Sequence, residues 1–359
     1  MKTERYKLLF SLLRSALWGE PFKGSVSAET FAQVLALAKE QTVYGLAFDT
    51  LSQLNGMFDK MQIFEAVGET ERIRHHNVLV DRELKEIVGL FDKHGVDYLI
   101  VKGQTCGRLY PKPELRMSGD IDFLIHQEYH DVKDVIEKQL SVKLPEVMVE
   151  KEIEFEHGDV PLELHTSLRE YAKKKHQEAW NSLIEKEWQE KHFLEIDDFK
   201  VRTLSPTMNA SYVFIHLFFH FIREGVSLRQ LCDWAMVLHH YKDEIDRFVF
   251  LKIMSDLDLK DACCAFGTIL TDCMGLPEQE FPLSLGEKDR RWKDKILKDI
   301  FIGGNFGKLH HQAHSSWRYK LESMRLALKN TVRYFKLCPS EIGGLMPRLV
   351  KGNLKLLFS

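Results

Sequence analysis

Glycine and proline are scarce, 21 and 10 in 359 residues, and no segment is low in complexity. Long flexible linkers are therefore excluded. No apolar run has membrane-spanning length. The longest, Tyr212 to Ile222, falls short of the roughly 18 residues a span needs and contains His216 and His220, so it reads as a buried helix. The six cysteines include no C-x-x-C pair, and Cys263 and Cys264 are adjacent. No disulfide framework is expected, and a reducing, cytoplasmic setting fits. The first residues are interrupted by Lys2, Glu4, Arg5 and Lys7 and have no small-residue cleavage site, so no targeting segment is read there. Neither sign of charge dominates: 50 Lys+Arg against 53 Asp+Glu leave −3, which is not the balance of a nucleic-acid polycation. Walker A, Rossmann glycine and G-x-S-x-G motifs are missing too.

What is present is globular: 44% hydrophobic and 29% charged residues, enough for a sizeable core. The length predicts about two domains. Charge is uneven, with nine Lys/Arg against two Asp/Glu from Arg318 to Ser359. Such an end suits a solvated helix face, or else a phosphate or membrane surface.

The first 75 residues read as helices. Ser27 precedes an apolar run at helical spacing, Phe31, Val34, Leu35, Ala38. A long helix is expected from about Asn77 to His94, stopped at Gly95. The pattern then changes. Val96 to Val101 reads as a buried strand, Gln104 to Tyr110 as a short helix broken by Pro111 and Pro113. Asp120 to His126 reads as a second strand and Gln127 to Leu140 as an amphipathic helix. Met148 to Glu156 and Val160 to Thr166 form a hairpin through Gly158-Asp159. A further strand pair flanks Asp197-Asp198. After Ser205-Pro206 helical periods dominate, at roughly 206–223, 227–242, 243–255, 259–274, 287–300 and 315–336. The expected fold is α+β: N-terminal helices over 1–76, a small mixed-sheet core over 77–205, and a C-terminal helical domain over 206–359.

Strand alternation sorts the side chains. Asp120 and Asp122 face away from Ile121, Phe123 and Ile125. Glu163 and His165 face away from Val160, Leu162 and Leu164. If the two strands are neighbours, three carboxylates gather on one face. They repel one another unless cations are present, and oxygen ligands suit Mg²⁺ or Mn²⁺. Upstream, Lys102-Gly103 ends a strand and opens a helix, a turn at which backbone N–H groups can approach a phosphate. Arg116 and Ser118 lie in the loop before Asp120, and Arg suits a bidentate phosphate clamp. D-x-D on a strand is a weak signal by itself; the alternative is a polar edge of a half-exposed sheet.

Together Leu99-Ile-Val-Lys-Gly-Gln104, Leu109-Tyr-Pro111, Leu115-Arg116, Ser118-Gly-Asp-Ile-Asp122 and Leu162-Glu-Leu-His165 resemble the polymerase-β-type nucleotidyltransferase superfamily, in particular its uncharacterised bacterial nucleotidyltransferase branch. Asp120 and Asp122 match its paired metal ligands, Glu163 its third carboxylate and Gly103 its turn glycine. Gln104 stands where Ser is usual, and sixteen residues separate Gly103 from Asp120. The resemblance is strongest over about residues 96–170 and extends more loosely to His216, His220 and Leu228 to Asp233. It implies transfer of a nucleoside monophosphate from an NTP to an unidentified acceptor: a small molecule, a sugar or a protein. Two Mg²⁺ or Mn²⁺ ions are expected with the NTP bound, on Asp120, Asp122 and Glu163. Glu163 would also take the acceptor's proton. Lys102, Gly103, Gln104, Arg116, Ser118, His220 and Arg229 are the expected nucleotide-binding residues. Two other readings stand beside this one. One is a non-catalytic nucleotide- or metal-binding module of the same fold; the other is an RNA-modifying nucleotidyltransferase using the basic end. The near-neutral total charge disfavours nucleic acid.

Other residues carry weaker signals. His216 and His220 share a helix face, as metal ligands or as core and cleft-lining histidines. His220, Arg223, Arg229 and Asp233 either line the nucleotide cleft or pack helices. His310, His311 and His314 cluster after the glycines of 303–307, to which no chemistry is assigned. Cys106 has no His or Asp arrangement that would make it a nucleophile.

Overall fold

The computed structural model describes residues 2–24, 26–54, 59–148, 151–304 and 316–344. The glycine-rich stretch beyond Gly304, the three histidines after it and residues 345–359 of the basic end lie outside these. Six strands form one mixed sheet in the order β3-β4-β2-β1-β6-β5. They are β1 (Tyr98–Val101), β2 (Ile121–Ile125), β3 (Glu152–His157), β4 (Val160–His165), β5 (His192–Ile196) and β6 (Phe199–Thr203). Helices α1 (Lys2–Trp18), α2 (Ala28–Glu40), α3 (Tyr44–Ser52) and α4 (Lys60–His94) precede the sheet. Between strands come α5 (Gly103–Gly107), α6 (Tyr129–Leu140) and α7 (Lys174–Gln189). After β6 follow α8 (Pro206–Arg223), α9 (Leu228–His240), α10 (Arg247–Asp256), α11 (Lys260–Ile269), α12 (Glu287–Arg290), α13 (Lys293–Gly303) and α14 (Ser316–Tyr334). The fold is mixed α+β with helices flanking the sheet. Among the described residues no helix is long and apolar enough to cross a membrane.

Alternation decides which face of the sheet meets which helices. Ile121, Phe123, Ile125, Leu162 and Leu164 pack with Leu84, Ile87 and Phe91 of α4 and with Val132 and Ile136 of α6. Leu99, Val101 and Leu124, on the opposite face, join a second core with Phe214 and Phe218 of α8. That core also takes in Leu9 and Phe31 from the N-terminal helices and Leu231 and Phe266 from α9 and α11. N- and C-terminal helices therefore share one hydrophobic interior. Arg14 Nε donates to the Cys273 carbonyl at 2.9 Å and Trp18 Nε1 to that of Met274 at 2.6 Å. α8 is buried on nearly all sides, as its Phe-rich sequence requires. It starts at the Ser205 cap with Pro206 in the first turn.

Two elements differ from expectation. The helix expected from Asn77 begins instead at Lys60, capped by Asp59, and runs unbroken to Gly95 with φ +68. Its first turns carry Met61, Phe64 and Val67 exposed, so no buried stripe announces them. α7 was not expected at all. Only His176, Trp180 and Glu187 of its sixteen residues are buried, which leaves a faint apolar pattern.

Candidate active site

β1 ends at Val101, and the chain turns through Lys102 (φ +55) and Gly103 (φ +36) into α5. A Cβ on Gly103 would stand 3.1 Å from the Asp120 carbonyl oxygen in a left-handed backbone conformation, so this turn needs glycine. β2 runs antiparallel to β1 and parallel to β4. Asp122 thus sits across from Val101 on one side and from Glu163 on the other. Register partners share a face, so the carboxylates of Asp122 and Glu163 project together. His165 follows two residues on. Ligand atoms of Asp122, Glu163 and His165 all lie within 4.8 Å of one another.

The cluster is tightly bonded. Lys102 Nζ lies 2.6 Å from Asp122 Oδ1. His165 Nε2 lies 2.9 Å from the same oxygen and 3.3 Å from Glu163 Oε2. Asp122 is 2% exposed and His165 4%. Burial disfavours the charged form of Asp122, but Lys102 and His165 outweigh it and hold its carboxyl well below the usual range. Glu163 goes the other way: burial, with the Asp122 charge beside it, pushes it up to about 8. His165 is also buried, yet its bonds to Asp122 and Glu163 raise it to about 9. A second negative charge is unwelcome here unless a cation accompanies it.

The cluster lies in the wall of a cleft of about 1130 Å³, bounded by the sheet, the segment after β4, and helices α8 and α9. Lys102, Gly103, Arg116, Asp120, His220 and Arg229 line the same cleft. Asp120 is half-buried and stands outside the three-residue cluster, where His165 takes the third place.

Arg116 is held by its own partner. Its Nε donates to Asp233 Oδ1 at 2.7 Å and its Nη2 to Oδ2 at 2.9 Å, with both residues buried. Tyr110 donates to the same carboxylate at 2.7 Å. Gln104 is buried and bridges: its Nε2 donates to Asp81 Oδ1 at 2.7 Å, and its Oε1 accepts from Ser118 at 3.0 Å. Neither Gln104 nor Ser118 lines the cleft. Arg229 donates to the Met117 carbonyl at 2.7 Å, and among the described residues its buried Nε has no partner. The His216 and His220 rings lie 4.2 Å apart, tilted by 46°, and His220 meets Glu224 at 3.1 Å. Among the described residues they belong to no group able to hold a metal. A second such group is Glu83, Glu86 and His157, in which Arg82 and His157 already pair with Glu83.

Arg169 and Tyr212 also line the cleft, and neither is expected there from the sequence. Tyr212 lies in the apolar helix already read as core. Arg169 has no local signal at all, being one basic residue in a loop.

The mixed sheet thus carries two carboxylates beside a glycine turn, at the wall of the cleft. The sequence profile of an uncharacterised nucleotidyltransferase family matches residues 27–275. The chain belongs to that family. No curated protein sequence matches it. It is also similar to the crystal structure of an antigenic nucleotidyltransferase-like protein from Paracoccidioides brasiliensis, with a TM-score of 0.31 and 14% identity over 54% of this chain and 93% of that one. The family match carries the assignment.

Proposed function

We propose that this protein transfers a nucleoside monophosphate from an NTP to a hydroxyl of an unidentified acceptor. The observation that carries this is the register pairing of Asp122 with Glu163 beside the Lys102-Gly103 turn, within the family's matched region. The donor set fits a divalent cation. The buried carboxylate of Asp122 and the half-buried one of Glu163 share one spot, Glu163 resists ionising there, and Asp120 stands beside them in the same cleft. Asp120, Asp122 and Glu163 would hold Mg²⁺ or Mn²⁺, and the His165 imidazole tilts the preference toward Mn²⁺. Bound there, such ions would neutralise the phosphate oxygens around the reacting phosphorus.

The chain's own groups do the rest. The Gly103 turn brings backbone close to the triphosphate, and Lys102 and Arg229 supply positive charge on that side. Arg116 acts at one remove, holding Asp233 and the loop that carries Ser118. The acceptor oxygen attacks the α-phosphorus; an O–P bond forms, the bond to pyrophosphate breaks, and the hydroxyl proton passes to Glu163. Positioning and electrostatics supply most of the acceleration, as in other phosphoryl transfers.

Pyrophosphate release in the presence of Mg²⁺ or Mn²⁺ tests this. Asp122→Asn should cut it by about 1000-fold or more with the circular-dichroism spectrum unchanged. Unchanged turnover in that variant would sink the proposal. The ion pair of Lys102 with Asp122 favours a second reading, a binding module whose carboxylate is already neutralised. That reading predicts NTP binding without pyrophosphate release from the NTP, whatever acceptor is supplied.

A further inference from the structure

Arg169 and Arg116 are two arginines of one cleft with opposite fates. Arg116 is matched bond for bond by Asp233. Arg169 lies in the segment between β4 and α7, its guanidinium over the Phe219 ring at 3.4 Å. Its Nε is buried without a partner, and among the described residues the guanidinium makes no hydrogen bond and no ion pair. Burial, with the Arg223 charge adding to it, lowers its proton affinity to about 10. Arg169 is half-buried, and its buried Nε is a donor left unmet by the chain. An oxyanion that is not part of the chain would complete it. A guanidinium over the Phe219 ring can still offer its in-plane N–H edge, which recognises an oxyanion by two bonds.

Its place in the cleft says which reactant this is. Arg229 bonds to the Met117 carbonyl in the loop before β2. Arg169 stands on another part of the cleft wall, the segment after β4, over Phe219 of α8. The Gly103 turn is given above to the triphosphate, which leaves the Arg169 part of the wall for the acceptor. We infer that the acceptor is a hydroxylated molecule bearing a carboxylate or phosphate, and that Arg169 receives that oxyanion; this rests on the nucleotidyl-transfer reading. The exposed carboxylates of Glu152 and Glu154 on the edge strand line the same cleft and would instead favour an amine. The two chemistries are therefore set against each other in the test.

Calorimetry would compare glucose 6-phosphate, glucuronate, glucose and glucosamine as probes, together with non-hydrolysable NTP analogues in Mg²⁺. At least one anionic sugar should bind about tenfold or more tightly than glucose, and Arg169→Gln should abolish that advantage while leaving NTP-analogue affinity within about twofold. Arg169→Lys should restore part of it by charge alone. The melting temperature of unliganded Arg169→Gln should fall only slightly, because only ring contacts such as that with Phe219 are lost within the protein; a large fall would mark a structural guanidinium and count against the inference. Tightest binding by glucosamine, no preference for an anionic sugar, or an equal loss of NTP-analogue affinity in Arg169→Gln would each overturn it. If no NTP analogue binds the wild type while the anionic sugars do so through Arg169, the nucleotidyl-transfer reading fails and the anion site stands. If the analogues bind and the anionic sugars show no advantage, only the present inference fails.

Discussion

Arg116 and Asp233, 117 positions apart, are joined by two parallel charge-assisted hydrogen bonds of 2.7 and 2.9 Å in the buried wall of the cleft. The pair ties the loop before β2 to helix α9, and so fixes the approach to Asp120 and Asp122. Breaking it from one side leaves a buried charge alone. Arg116→Met or Asp233→Leu should each cost about 3–5 kcal/mol, and the double substitution should cost clearly less than their sum. Chemical denaturation of the three variants checks this.

The same pair makes a pH prediction. Burial opposes the ionised form of Asp233, but Arg116 overrides it and holds the carboxyl below its ordinary value of 3.8. A depressed carboxyl contributes stability that is present above the unfolded value and lost as pH falls through the folded one. Wild-type stability should therefore drop below about pH 4 more steeply than that of the Arg116→Met/Asp233→Leu double variant. Melting curves from pH 3 to 6 measure the difference.

Gln104 yields a second structural prediction. It stands where the superfamily usually has Ser, but here it links Asp81 on α4 to Ser118. Restoring Ser would leave both groups short of a partner. Gln104→Ser should lower stability by about 1–3 kcal/mol and should not raise NTP affinity. A stable variant with tighter NTP binding would contradict this role for Gln104.

Period-two alternation was enough to put Asp122 on one face of its strand and Glu163 on one face of another. It could not say that β2 and β4 are neighbours, because α6 and β3 lie between them in the chain. Parallel pairing is a long-range choice made by the Ile121, Phe123, Leu162 and Leu164 core on α4 and α6. The C-terminal helices were legible for the usual reason, dense apolar residues at helical spacing, as in Pro206–Arg223. α7 was not, since its surface is charged and its buried contacts are few.

Arg116 illustrates the other limit. A basic residue in a loop before D-x-D reads as a phosphate clamp by residue type alone. The carboxylate that claims it comes from α9, and nothing local in the sequence announces it. Arg169 is the converse case, a loop residue without a local signal that the fold sets half-buried over Phe219, with no hydrogen bond to its guanidinium among the described residues. In both, chemistry follows from what the fold brings near, and residue type gives only the candidates.

Asp120, Asp122 and Glu163 would hold divalent cations against an NTP in this cleft. Crystals soaked with Mn²⁺ and a non-hydrolysable NTP analogue test this through anomalous scattering at the manganese edge. Anomalous peaks are expected touching Asp122 and Glu163, with the triphosphate beside Gly103 and Lys102. A nucleotide bound in the cleft with Lys102 still on Asp122 and no manganese at these carboxylates would contradict it.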